Sequence, residues 1–246
     1  MAKKKRNALP EDTDLILDEN SGFLMREDYK ALRTNVSFSF ADKEPKVIAV
    51  TSAIRGEGKS TTAINLAISF AELGEKVLLI DGDLRLPTVA TKLGSAYGTN
   101  GSGLTDFLVG DAELKDTIRK NREHNIYVMY SGTMPPDPTR LLQSDKFAAT
   151  LDALKQQFRY IIVDCPPVGT VIDATLFSRS VDGYLIVVRH EHTEYREINA
   201  MLDQMNRADA KILGFVYTNA PTEDKKYYKK YGKGYYGGYY GKQPKK

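Results

Sequence analysis

Three features of the sequence predict an α/β fold built on a doubly wound, mainly parallel sheet with helices on both faces. Short apolar runs alternate with longer amphipathic segments from Lys46 onward. The connection between the first two runs has the length of a parallel crossover rather than a hairpin. Glycine-rich or acidic residues follow directly on several runs, at the carboxyl ends of strands where such sheets place their ligands.

The elements follow in order. Residues 1–24 are polar and irregular apart from an apolar knot at 15–17, and read as an N-terminal arm. Residues 27–35 have helical spacing, with Tyr29, Leu32 and Val36 on one stripe and Glu27, Lys30 and Arg33 on another, which predicts a surface helix outside the sheet. Strands are predicted over 47–50, 77–80, 126–130, 160–163, 184–188 and 212–217. Between the first two, Ile64, Leu66, Ala67, Phe70, Ala71 and Leu73 fit a helix over 59–73. The last 25 residues break the pattern: seven of the fifteen tyrosines stand among glycines and lysines with no aliphatic residue, a composition that builds no core. The organisation is thus an arm over 1–24, one large domain over 25–221 and a flexible tail over 222–246.

Charge and cysteine content narrow the function classes. The net charge is +3, but four cations fill 3–6 and residues 222–246 carry +6, which leaves −7 between them. A broad basic face for nucleic acid is therefore not expected, although short basic arms suit an anionic surface or an acidic partner. One cysteine forms no internal disulfide, and no apolar run approaches membrane-spanning length, so a cytoplasmic protein is expected.

Three motifs close three of the predicted strands. The first, Ser52-Ala53-Ile54-Arg55-Gly56-Glu57-Gly58-Lys59-Ser60-Thr61, lies between a strand and a helix. Small residues there let backbone N–H groups converge on phosphate oxygens, a lysine reaches the outer phosphates and a hydroxyl ligates Mg²⁺. Gly56, Glu57, Gly58, Lys59, Ser60 and Thr61 are thus the candidate nucleotide-binding residues, with ATP and Mg²⁺ as ligands. Ala53 stands where the strict pattern has glycine.

The second motif puts Asp81 and Asp83 two residues apart after a strand, so that both face the phosphate site if extended geometry persists. Two carboxylates side by side call for a cation between them, and nucleotide-bound Mg²⁺ is one. The third ends a strand in Asp164-Cys165-Pro166-Pro167, with the acid placed to hold the Mg²⁺ shell and the prolines stopping the strand. The candidate metal ligands are Ser60, Asp83 and Asp164. Taken singly, either acidic motif also reads as ordinary turn chemistry. Cys165 reads as a buried small residue. Asn219, after the last strand, is either an adenine contact or a turn asparagine.

Together these motifs resemble the Walker A, A′ and B segments of the bacterial tyrosine kinase family of capsule and exopolysaccharide synthesis, stand-alone type. The segments Gly103-Leu104-Thr105-Asp106-Phe107-Leu108 and Gly132-Thr133-Met134-Pro135-Pro136-Asp137-Pro138 are similar to further family segments. The resemblance implies a P-loop nucleotidase-like kinase domain and ATP-dependent autophosphorylation. Lys59 and Asp81 would be catalytic, with Asp81 accepting the phenol proton. The acceptors would be Tyr227, Tyr228, Tyr231, Tyr235, Tyr236, Tyr239 and Tyr240. It further implies a membrane-anchored activator of the polysaccharide copolymerase type that holds the kinase at the inner face of the membrane, assembly into a ring, and a cognate phosphotyrosine phosphatase. Arg55 replaces the family's usual proline, and Lys30 stands at the first arginine of its Glu-x-x-Arg-x-x-Arg helix. The alternative is an ATP-switched assembly or positioning ATPase of the kind that partitions DNA or places the division machinery. Those enzymes carry an extra lysine early in the loop, where this chain has Ile54.

Overall fold

The computed structural model describes residues 15–41, 44–95, 101–170 and 173–220. The tail with its seven tyrosines lies outside the described residues. Among the described residues one seven-stranded sheet forms, in the order β3-β4-β2-β5-β1-β6-β7. The strands are β1 (Lys46–Ser52), β2 (Val77–Asp81), β3 (Ile118–Asn121), β4 (Ile126–Met129), β5 (Tyr160–Asp164), β6 (Gly183–Arg189) and β7 (Ile212–Thr218). All pairings are parallel except β3 with β4.

The buried strands read as continuous apolar runs because both faces are covered. Along β1 the side chains alternate: Val47 and Ala49 join one core layer, Ile48 and Val50 the other. The helices are α1 (Phe23–Phe38), α2 (Lys59–Ala71), α3 (Val89–Lys92), α4 (Leu104–Val109), α5 (Leu114–Thr117), α6 (Pro138–Leu142), α7 (Asp145–Lys155), α8 (Asp173–Leu176) and α9 (Tyr195–Arg207). Leu104 of α4, Phe147 and Leu151 of α7 and Met201 and Met205 of α9 cover one face; α2 covers the other with Ile64, Leu66 and Phe70.

Helix α1 lies outside the sheet, packed on α2 with Val36 buried. Its Arg33 donates to the Ser69 carbonyl at 2.5 Å. The end of the segment read as an arm belongs to the core instead. Ile16 and Leu17 are buried, the Leu17 N–H donates to Asn65 Oδ1 at 2.8 Å, and Asn65 Nδ2 donates to the Leu15 carbonyl. The reason is that a short apolar knot buries readily once a helix amide holds its backbone.

The start of α4 and the loop that follows β4 are knitted together. Asp106 accepts hydrogen bonds from the Gly103 and Thr133 N–H groups, and a Cβ on Gly103 would sit 2.4 Å from the Tyr130 carbonyl oxygen. Glycine is required there by close approach of two backbones. The carboxyl ends of β1, β2 and β5 meet where the chain order reverses, the position at which such sheets open a ligand crevice.

Candidate active site

β1 ends at Ser52 and the chain turns through 53–58 into α2. Gly56 and Gly58 have φ of +81° and +93°, a left-handed conformation that β-carbons disfavour. Ser52 Oγ closes the turn by donating to the Ile54 carbonyl at 2.7 Å. The Walker B loop lies beneath it: Val168 and Gly169 donate to the carbonyls of Ser52 and Ala53, and Thr51 Oγ1 donates to the Pro166 carbonyl. The first turn of α2 therefore presents its N–H groups toward the crevice, with no acid of its own in that turn.

Strand register brings the acids together. Asp81 ends β2 and Asp164 ends β5, and the two are direct partners across the parallel pair. Both are fully buried, and Asp83 is nearly so. Lys59 Nζ donates to Asp83 Oδ2 at 3.3 Å and stands 4.0 Å from Asp164 Oδ1. Asp81 Oδ2 accepts the Val89 N–H at 3.1 Å, while Asp81 Oδ1 and both oxygens of Asp164 have no hydrogen-bond partner.

The electrostatics follow from this packing. Burial, then the charge of Asp164, pushes the Asp81 carboxyl well above the usual carboxylate range. Burial also raises Asp164, against the pull of Lys59. Burial works against the charge of Lys59, but Asp164 and Asp83 outweigh it and hold its pKa above the ordinary value. Cys165, fully buried with a thiol pushed well up by burial and by Asp164, has the inert character of a packing residue.

Orphaned carboxylate oxygens beside a hydroxyl and a lysine are hard-donor chemistry, and they fit Mg²⁺. Among the described residues no group of three or more His, Cys, Asp or Glu forms a cage for a metal. Mg²⁺ bound with a nucleotide takes one or two carboxylates and completes its shell with phosphate and water. Ser60 is buried, and its Oγ accepts from Thr88 Oγ1 at 2.9 Å.

The remaining sequence candidates fall out differently. Thr61, in the first turn of α2, is half-buried, while the rest of the helix from Thr62 on is buried. Asn219 is exposed at the end of β7 with φ of +54°, a turn geometry that asparagine tolerates. Glu57 turns its side chain away from the crevice and is fully buried. Three neighbours escape sequence reasoning. Thr88 is one; the others are Thr218, whose hydroxyl donates to the Glu57 carbonyl at 2.8 Å, and Asp173, which clamps Arg85 with contacts of 2.5 and 3.3 Å. Only the position of Thr218 at a strand's carboxyl end carried a signal.

A family model described as an AAA domain matches residues 45–213. The tyrosine-protein kinase CpsD of Streptococcus agalactiae is 40% identical over 190 residues, which are 77% of this chain and 80% of that protein. The chain belongs to the bacterial tyrosine kinase family. Among solved structures, this kinase superposes on the chimerical protein CapA2B2 with a TM-score of 0.78 at 32% identity, covering 86% of this chain and 92% of that one. The kinase domain of the Escherichia coli tyrosine kinase ETK gives a TM-score of 0.74 at 30% identity, over 80% and 78% of the two chains. The Pyrococcus horikoshii septum site-determining protein MinD, solved with Mg-ADP, is less similar, with a TM-score of 0.58 at 28% identity over 70% of each chain. The kinase fold therefore sits nearer the tyrosine kinases than the positioning ATPases. No helix among its described residues is long and apolar enough to cross a membrane.

Proposed function

We propose that this kinase transfers the γ-phosphoryl group of ATP to the tyrosines of its own C-terminal cluster, in the service of capsular or exopolysaccharide synthesis and export. The observation that carries the reading is the half-buried Lys59 among the buried Asp81, Asp83 and Asp164 at the phosphate loop of a chain that carries seven tyrosines over residues 227–240. The positioning-ATPase reading is not favoured: Ile54 occupies the place of its additional lysine, and the fold match is weaker.

In this reading Gly56, Gly58 and the first N–H groups of α2 cradle the phosphates, and Lys59 leaves Asp83 to meet the outer ones. Ser60, Asp83 and Asp164 would hold Mg²⁺, which when bound neutralises charge on the β- and γ-phosphates. Asp81, its affinity for a proton raised by burial, accepts the phenol proton as the tyrosine oxygen bonds to phosphorus and ADP departs. A phenol has a pKa near 10, so a base of raised pKa suits it better than an exposed carboxylate does. Asn219 would border the adenine.

Tail length permits the reaction. A random coil of 25 residues has an r.m.s. span of roughly 25–30 Å, sufficient to bring a tyrosine to the crevice of its own chain or of a neighbour. Incubation with γ-labelled ATP and Mg²⁺ tests the assignment. Changing Tyr227, Tyr228, Tyr231, Tyr235, Tyr236, Tyr239 and Tyr240 together to Phe is expected to remove protein-bound label while ATP binding persists. Label retained on that variant would place the acceptors elsewhere.

The chimerical protein CapA2B2 joins two components in one chain. Its similarity to this kinase supports pairing with a second protein; in this reading that partner would be a membrane-anchored activator that brings the kinase to the inner face of the membrane, and a phosphotyrosine phosphatase would reset the tail. Copies would assemble as a ring. Each phosphotyrosine adds about −1.5 to −2, so full modification changes the +6 tail by roughly −10 to −14. Light scattering at matched concentration is expected to show smaller assemblies after full modification; unchanged mass would sink the charge switch.

A further inference from the structure

The end of β6 and the loop that leads from it to α9 grip three successive residues of the phosphate loop. Arg189 Nη1 donates to the Gly56 carbonyl at 3.0 Å. His192 Nε2 lies 2.8 Å from the Arg55 carbonyl oxygen, and a Cβ on Gly56 would come within 3.3 Å of the same nitrogen. The buried Glu57 carboxylate accepts the Ile54 N–H on Oε2 at 2.8 Å. Its Oε1 accepts the Thr193 hydroxyl and, at 3.4 Å, the Arg189 N–H. From β7, Thr218 holds the Glu57 carbonyl.

A carboxylate withdrawn from water is costly unless its lone pairs are satisfied, and hydrogen bonds to an ionised group exceed neutral ones in strength. Glu57 is satisfied from two directions, by its own loop and by a segment 132–136 residues away. A phosphate cradle works only if its N–H groups already point correctly, because reorientation on binding subtracts from affinity.

We propose that Thr193, acting through Glu57, is a positioning residue for nucleotide: the β6–α9 loop sets the shape of the phosphate cradle from outside the crevice. The inference rests on the nucleotide-binding part of the proposed function and not on tyrosine as acceptor. It distinguishes Glu57 from the loop residues that face the phosphates. It also makes the exposed start of α9, where Tyr195 is 78% accessible, a place from which the cradle can be loosened.

Binding of ADP with Mg²⁺ to the full chain, measured by calorimetry, tests this separately from any label transfer. Thr193→Val and Glu57→Gln are each expected to weaken ADP binding about ten-fold, the scale of one hydrogen bond to a charged group. The double variant is expected to be no more than about twofold worse than the weaker single, because both changes break one linkage. Thr193→Ser restores the hydroxyl and is expected to bind within about twofold of the parent. Melting temperature and circular dichroism of Thr193→Val control for folding, since its half-buried side chain keeps its volume in the exchange. Unchanged affinity in the singles, multiplied losses in the double, or failure of serine to rescue would each overturn the proposal. Absence of tyrosine labelling in a parent chain that binds ADP normally would instead count against the kinase reading alone.

Discussion

Lys59→Met is expected to lower transfer of label from ATP to protein by on the order of 10³-fold, the scale on which a single cationic contact stabilises phosphoryl transfer. Two losses combine. The outer phosphates lose their charge partner, and the acid cluster loses the ammonium that stands 3.3 Å from Asp83 and 4.0 Å from Asp164. Buried carboxylates without that cation take up protons rather than remain charged. Because the folded-state pKa of Lys59 is raised, its contribution to stability is fully present at neutral pH and disappears only as pH climbs through that raised value. The Met variant should therefore melt lower than the parent at pH 7. Lys59→Arg keeps a charge but not a compact ammonium, and is expected to recover little activity. Near-parental labelling by Lys59→Met would remove the phosphate loop from the mechanism.

Asp81→Asn is expected to separate activity from stability. Loss of a general base slows proton transfer by about 10²–10⁴-fold. Stability moves the other way at neutral pH. A carboxyl whose folded-state pKa is raised supports the fold below the ordinary value near 3.9, and that support is lost as pH rises through the folded value. At pH 7 it is a burden, and the nearly isosteric amide removes it. Asparagine also keeps an acceptor for the Val89 N–H and brings an N–H beside Asp164, whose oxygens accept no hydrogen bond. Without nucleotide, the variant should melt higher than the parent at pH 7.5, by roughly 2–4 °C per kcal/mol recovered, with the gap closing toward pH 4. A lower melting temperature at pH 7.5 would mean that Asp81 is charged and well compensated in the folded chain.

Both acids were legible because a strand covered on both faces shows as an uninterrupted apolar run, and Asp81 and Asp164 end two such runs. The phosphate loop was legible because its glycines, lysine and hydroxyl are consecutive. Strand β3 was not: Ile118-Arg119-Lys120-Asn121 has one apolar residue in four, as an edge strand open to water can. Nor were the contacts of Glu57 with Thr193, 136 residues apart, or of Arg85 with Asp173, 88 apart. Such pairs exist only after the sheet has set its strand order. The position of Glu57 between two glycines suggests a phosphate neighbour, and only the fold reveals that its side chain faces the other way.

The pairing of Asp81 with Asp164 on one rung of a parallel ladder has a mechanical consequence. Their spacing is maintained by main-chain hydrogen bonds at the centre of the molecule, not by any loop that must open for substrate. Whatever rearrangement admits ATP or a phenol, these two charges travel as a rigid fork, and regulation has to act by moving other groups toward it.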